Sequence, residues 1–292
     1  MYKYIKDSDL SKKLFWIGIF TLPSAPSIAF FFFLISSTFS VKNNFKNLIN
    51  DKWNLVFIFS AILMPIICIF QSDNIEPLLD NWDVSLTWIG LANWVPLIFF
   101  FLSFQFFVKA PEDRKILSIV LISGSIPVIF SGFAQYIFKI YGPFELLNGF
   151  IVWFQRPLRN DSGMTALFNN QNYAGAWFCI LWPLSLAALL DSLNKRVNKY
   201  ISLGILISIT ISIIITTSRS AWGGLILLIP LMTGISSIHF LSLIIFILLL
   251  LVLFSVLNSL PIDLQNYFRD LLPKRYIQEF VPEYFNRRVS RL

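Results

Sequence analysis

Charge is what this sequence has least of. Only 13% of its 292 residues are Asp, Glu, Lys or Arg, where a soluble globular domain carries about a quarter, and 56% are hydrophobic. With a mean hydropathy of +0.70, a soluble domain is excluded. Cysteine is nearly missing too. Cys68 and Cys179 both lie inside apolar stretches with no CxxC or Cys/His cluster, which rules out a disulfide framework and argues against a metal site; no cofactor is expected. The only histidine, His239, sits between two apolar runs and reads as a short-turn residue. Internal repeats of solenoid length and the alternating segments of a membrane β-barrel are both absent.

What is present is long apolar runs. Leu14–Val41, Trp53–Phe70, Leu86–Val108, Ile116–Phe138, Tyr173–Leu190, Ile201–Thr217, Ala221–Ile238 and Phe240–Leu260 contain no Asp, Glu, Lys or Arg. A helix needs roughly 20 apolar residues to cross the hydrocarbon core, so the expected fold is an all-α, polytopic transmembrane bundle of about eight spans. Pro23 and Pro26 interrupt the first run. It reads as one kinked span, as a tight hairpin, or as a signal peptide whose basic region is Lys3, Lys6, Lys12 and Lys13, although its apolar stretch outruns any small-residue cleavage site. The absence of ionisable side chains inside the runs weakens a cation- or proton-coupled transport reading.

Loop charge gives orientation, because short cytoplasmic loops collect Lys and Arg. Loop 42–52 holds Lys42, Lys46 and Lys52, loop 109–115 holds Lys109, Arg114 and Lys115, and loop 191–199 holds Lys195, Arg196 and Lys199. The alternate loops hold none in 71–85, Arg156 and Arg159 in 142–171, and Arg219 in 218–220. The segment around Arg156, the turn at Arg219 and the tail after Leu260 are therefore expected on the outer face. The four N-terminal lysines fit this parity only if Leu14–Val41 is a hairpin, although each arm is then short for a full crossing. The net charge of +7 comes mostly from these lysines and a basic tail, and it implies anionic headgroups sooner than nucleic acid.

Polar side chains gather in the outer loop 142–172, long enough between two spans to suggest function. Arg156 and Arg159 stand three residues apart there, and arginine suits bidentate phosphate binding; the plain alternative is that they anchor the loop at the headgroups. Asn169, Asn170, Gln171 and Asn172 directly precede the run from Tyr173. One asparagine serves as a helix N-cap, and a capped N-terminus attracts anions; the remaining amides point to a ligand-facing role. Arg219 stands between two apolar segments with almost no loop, either as an interfacial anchor beside Trp222 or as a partner of Arg156 and Arg159 around a diphosphate.

The stretch Arg-Pro-Leu-Arg-Asn-Asp-Ser-Gly-Met-Thr-Ala-Leu-Phe-Asn-Asn-Gln-Asn-Tyr-Ala-Gly-Ala-Trp (156–177), followed by Thr-Ser-Arg-Ser-Ala-Trp (217–222), resembles the O-antigen ligase and polymerase-like family of bacterial membrane proteins. It is most similar to the cyanobacterial members, some of them labelled bicarbonate transporters; the segment Trp88–Pro96 adds to the likeness. The resemblance implies a glycosyltransferase-C-like helical fold in the bacterial inner membrane. The implied activity is metal-independent transfer of a glycan from an undecaprenyl-diphosphate carrier to an acceptor at the outer face. Arg219 matches the family's Ser-Arg motif and one of Arg156 and Arg159 its other diphosphate-binding arginine, while Asn169 and Asn172 match its Phe-Asn-x-x-Asn element, with Asn170 between them. The family's catalytic histidine has no match, since His239 precedes the relevant loop and lies on the other side by parity.

The resemblance runs to about Leu260. Residues 1–260 are expected to form the membrane domain, and 261–292 an interfacial tail in which Leu264, Tyr267, Phe268, Leu271 and Leu272 recur at helical spacing before Pro273. By that likeness the tail is the start of a large periplasmic loop cut short, which puts independent activity in doubt. Anion transport, for instance of bicarbonate, is the alternative function.

Overall fold

The computed structural model describes residues 2–74, 85–158, 162–193 and 196–234, together with isolated positions between 239 and 267. Eight helices follow one another among the described residues: α1 (Tyr2–Thr21), α2 (Pro26–Asn50), α3 (Lys52–Asn74), α4 (Ser85–Phe104), α5 (Pro111–Phe138), α6 (Gln171–Ser192), α7 (Arg196–Ile215) and α8 (Arg219–Thr233). Between α5 and α6 lies a two-stranded antiparallel sheet, β1 (Phe144–Leu146) and β2 (Ile151–Trp153). The all-α expectation thus misses one element, small but placed in the loop of interest.

Six of the helices are long and apolar enough to cross a bilayer, namely α2, the first part of α3, α4, α5, α6 and most of α7, and α8 is a shorter apolar helix. Their outward faces carry exposed apolar side chains such as Phe57, Phe59, Ile89, Leu97 and Phe130. Such a surface is stable only against lipid, so the chain is a multi-pass membrane protein. The six-helix count differs from the expected eight because α8 is short and most of Phe240–Leu260 lies outside the described residues; α1, with Lys12 and Lys13, adds no span to the one that α2 supplies for the first run. So does most of the tail 261–292, and with it the expected boundary at Leu260. By contacts the chain divides into one unit of residues 1–222 and another of 223–292.

The first apolar run is a hairpin. Helix α1 ends at Thr21, whose carbonyl accepts the amides of Ser24 and Ala25; Ala25 is non-helical (φ −144°, ψ 73°), and Pro26 opens α2 where a missing N–H costs nothing. The two helices run antiparallel, with Ser11 and Ser36 each donating its hydroxyl to the other's carbonyl (3.1 and 2.9 Å) and Phe15 packing on Phe33. Both arms exceed the apolar run. Helix α2 continues to Asn50, with a non-helical residue at Asn44, so Lys42 and Lys46 stand on a helix and the expected loop 42–52 shrinks to Asp51. The amide of Trp53 donates to the Asp51 carboxylate (2.9 Å), which starts α3 without a longer connection.

An aromatic cluster joins this hairpin to α4: Phe15 lies 4.9 Å from Phe104 and 4.7 Å from Phe107, and Phe33 4.9 Å from Phe104. Each such pair contributes about 0.5–1.5 kcal/mol beyond burial. Small polar residues let the backbones approach, as Ser40 donates to the Ser103 carbonyl (3.1 Å) and Ser103 to the Ser37 hydroxyl (2.6 Å). Gly124 of α5 abuts the backbone of Phe20, where a Cβ would collide with the Phe20 carbonyl.

Two ion pairs define one end of the bundle. Lys12 meets Asp113 and Lys115 meets Asp191, each at 2.6 Å, so the start of α5, the end of α6 and the basic part of α1 share that end. This is the grouping that loop charge requires of a hairpin.

Candidate functional site

The opposite end is organised by the loop between α5 and α6. Its first part is the β-hairpin, with Phe144 opposite Trp153, Glu145 opposite Val152 and Leu146 opposite Ile151. Asn148 and Gly149 have φ of 53° and 85°, the left-handed pair that a type I′ turn requires, and the Phe150 amide closes the turn on the Leu147 carbonyl (3.2 Å). Asn-Gly between apolar residues is the sequence signal for this hairpin.

The second part is tied down by two glutamines of which the sequence gives no warning. Gln135 on α5 is fully buried, and its amide donates to the Arg156 carbonyl (2.7 Å) and the Thr165 hydroxyl (2.9 Å) while accepting from the amides of Thr165 and Ala166 (2.9 and 3.1 Å). Gln155 in the loop donates to the carbonyl and hydroxyl of Ser131 (both 3.1 Å). Buried amides satisfied on both sides fix a backbone strongly. The loop then crosses to α7, where the Met164 amide donates to the Ile215 carbonyl (2.9 Å) and Gly163 presses on the Thr216 carbonyl so closely that no side chain fits.

This scaffold brings Arg156 and Asn169 to one cavity of about 270 Å³, whose wall also includes Gly142, Pro143, Phe154 and Gln155. Both side chains are exposed, and the Arg156 main chain is held by Gln135. Arg159, with Asn160 and Asp161, lies outside the described residues.

The amide cluster resolves into separate roles. Asn170 is the N-cap of α6, its side chain accepting from the Asn172 amide (2.8 Å), and Gln171 accepts from the Gly163 amide, which locks the loop to the helix start. Asn169 and Asn172 present exposed side chains. Of the three asparagines expected at the site, then, Asn170 spends its side chain on the helix start.

Arg219 opens α8 after the three-residue turn 216–218. The α8 start lies beside the α6 start: a Cβ on Gly175 would lie 2.7 Å from that of Ala221, and the Cys179 thiol approaches the Ala221 carbonyl at 3.2 Å. Neither helix has an acidic residue in its first turn. Two N-termini, each worth roughly half a positive charge, therefore stand side by side. An arginine at the first position of α8 adds charge of the sign that the helix dipole disfavours there, by about 0.3–1 kcal/mol. The preceding Thr217 is a β-branched residue at φ 52°, with its hydroxyl buried and without a partner. Backbone strain of this kind is worth about 1–3 kcal/mol and gathers at functional segments.

The structure thus places Arg156, Asn169, Asn172 and Arg219 at one end of the bundle, opposite the Lys12 and Lys115 ion pairs. His239 belongs to the second unit, where it is exposed and helical, its carbonyl accepting from Ser242 (2.8 Å), so the expected turn is not what it forms. Among the described residues no group of His, Cys, Asp and Glu is arranged to hold a metal ion.

Fold and site together define a multi-pass helical membrane protein that brings Arg156, Arg219 and two helix N-termini to one end. No family model, curated protein or solved structure matches the chain.

Proposed function

We propose that this end binds the diphosphate of a membrane-borne carrier and that the chain acts in glycan transfer at the outer face of the bacterial inner membrane, on an undecaprenyl-diphosphate-linked glycan, as an O-antigen ligase or polymerase-like protein. The observation that carries the reading is the convergence of the α6 and α8 N-termini with Arg219 at the bundle end that also holds Arg156. Helix N-termini offer aligned N–H donors, and guanidinium groups offer paired ones, which is the donor set that phosphate oxygens require. Asn169, in the Arg156 cavity, adds a neutral donor and acceptor of the kind that sugar hydroxyls engage. In transfer, these groups hold the diphosphate as negative charge grows on it when the glycosidic bond breaks.

The test is binding in nanodiscs, comparing undecaprenyl diphosphate with the uncharged isoprenoid alcohol. Loss of one charge-assisted contact costs about 1.5–3 kcal/mol, so Arg219→Ala and Arg156→Ala should each weaken diphosphate binding roughly tenfold or more and leave the alcohol unaffected. Equal affinity of both variants and the parent for diphosphate would overturn the proposal.

A further inference from the structure

We propose that the β1–β2 hairpin is a membrane-seated element, its apolar tip resting against outer-leaflet lipid above the α1–α2 hairpin. This goes beyond the function proposed above and does not depend on what Arg156 binds.

Depth along the helices carries the argument. Asp113, paired with Lys12, marks the basic end. The tip of the α1–α2 hairpin contacts α5 at Gly124, where the Ser24 hydroxyl donates to the Gly124 carbonyl (3.1 Å). At a helical rise of about 1.5 Å per residue, Gly124 is only about 16 Å from Asp113. A second ruler agrees: Ser36, bonded to Ser11 near that end, is about 15 Å along α2 from Pro26. The hydrocarbon core is about 30 Å thick, so, measured from the Lys12–Asp113 level, the tip of the α1–α2 hairpin stops short of the far boundary. On α6 the distance from Asp191, paired with Lys115, to Gln171 is about 30 Å, so the α6 start marks the outer boundary.

The β-hairpin hangs between these levels. The Trp153 indole N–H donates to the Ser24 carbonyl, at the level of the helical tip, and Gln155 is bonded to Ser131, about 27 Å along α5 from Asp113. The strands therefore sit beside the outer part of α5, at or somewhat below the outer boundary. Their surface suits that depth. Leu146, Leu147, Phe150 and Phe154 are 51–63% exposed, and between Lys139 and Arg156 the only charge is Glu145, on the strand face opposite Phe144 and Leu146. Open strand edges are not tolerated in bare hydrocarbon, whereas at the headgroup boundary water and headgroups satisfy them. An apolar tip, one carboxylate and flanking Tyr136, Lys139 and Tyr141 together form an interfacial composition.

The test uses full-length protein in liposomes with Cys68 and Cys179 replaced by serine and a nitroxide label at Leu147→Cys or, separately, Phe150→Cys. Asn169→Cys, at the same end and exposed, is the aqueous control. Both hairpin labels should collide severalfold more with oxygen relative to a nickel chelate than the control label does. Nickel accessibility equal to the control would put the hairpin in water and overturn the proposal. Protection from both reagents would mean that protein covers it, a second copy included, and would overturn it equally. Two separate label sites guard against one variant misfolding, since both replaced side chains are exposed and contribute little to the core.

Discussion

The two ends of this bundle are held together by different interactions. At the basic end, lysines meet carboxylates directly, as Lys12 meets Asp113 and Lys115 meets Asp191. At the other end the support is neutral: Gln135 grips the Arg156 carbonyl, and Thr217, two residues before Arg219, holds a positive φ. Lys12 and Lys115 are thus balanced by carboxylates within the chain. At the loop end buried amides hold the loop backbone beside a turn of strained backbone, a feature of the kind that gathers at functional segments. Variants that remove the neutral supports should thus disturb the loop end alone.

The largest effect is expected from Gly163→Val. A side chain at Gly163 meets the Thr216 carbonyl, a backbone atom that cannot move aside, so the loop must leave α7. A cost of about 3 kcal/mol, at the upper end of the usual overpacking range, should appear as a lowered midpoint in detergent unfolding. Diphosphate binding should fall with it.

Gln135→Leu comes next. It strands the Thr165 and Ala166 amides and the Arg156 carbonyl, each unsatisfied buried group costing about 1–3 kcal/mol, partly relieved if the loop opens to water. Hydrogen exchange should rise across residues 155–158 and 162–166 while the α1–α2 hairpin stays protected. If exchange rises equally at both places, the loop is not a separately supported unit.

Thr217→Gly tests the strain. Glycine adopts φ of 52° freely, so the substitution should relieve about 1 kcal/mol and stabilise the fold slightly. A gain in unfolding midpoint with weaker diphosphate binding would tie the strain to the site. A gain with unchanged binding would make it a packing accident.

Much of the fold was legible in the sequence, because apolar runs free of charge and loop lysines report lipid and orientation directly. The hairpin reading of the first run rested on Pro23, Pro26 and charge parity, and the structure adds the two ion pairs that parity implied. Arg156, Asn169 and Arg219, singled out in the sequence, lie at one end of the bundle. What stayed hidden has a physical reason in each case. Gln135 and Gln155 are solitary amides in apolar or aromatic surroundings, and their worth depends on which carbonyl they meet in three dimensions. The β-hairpin had a local sign, Asn148-Gly149, that its apolar neighbours obscured. Helix α2 outran hydropathy because residues 42–50 continue it past the apolar run, where hydropathy no longer marks it.

The smallest effects belong to the basic end, and exposure decides their order. In the Lys12–Asp113 pair the side chains are 42% and 12% exposed, whereas in Lys115–Asp191 they are 60% and 61% exposed. Solvent screens the second pair fully, and exposed pairs contribute about 0–1 kcal/mol, so Lys115→Ala should leave the unfolding midpoint unchanged. Lys12→Ala should lower the midpoint a little, since it removes the partner of a carboxylate whose side chain is only 12% exposed. Asp113→Ala should cost more than Lys12→Ala, because Asp113 also accepts the amides of Ala110 and Lys109 (3.1 and 3.3 Å) and so caps the start of α5. The order Asp113, Lys12, Lys115 is checked by unfolding the three variants side by side at low and high salt. Salt should shrink the Lys12 effect and leave most of the Asp113 effect, because capping bonds to a buried carboxylate are screened little. Diphosphate binding should be the same in all three, because none of these residues lies at the loop end; a drop in any of them would mean that the two ends are coupled through α5.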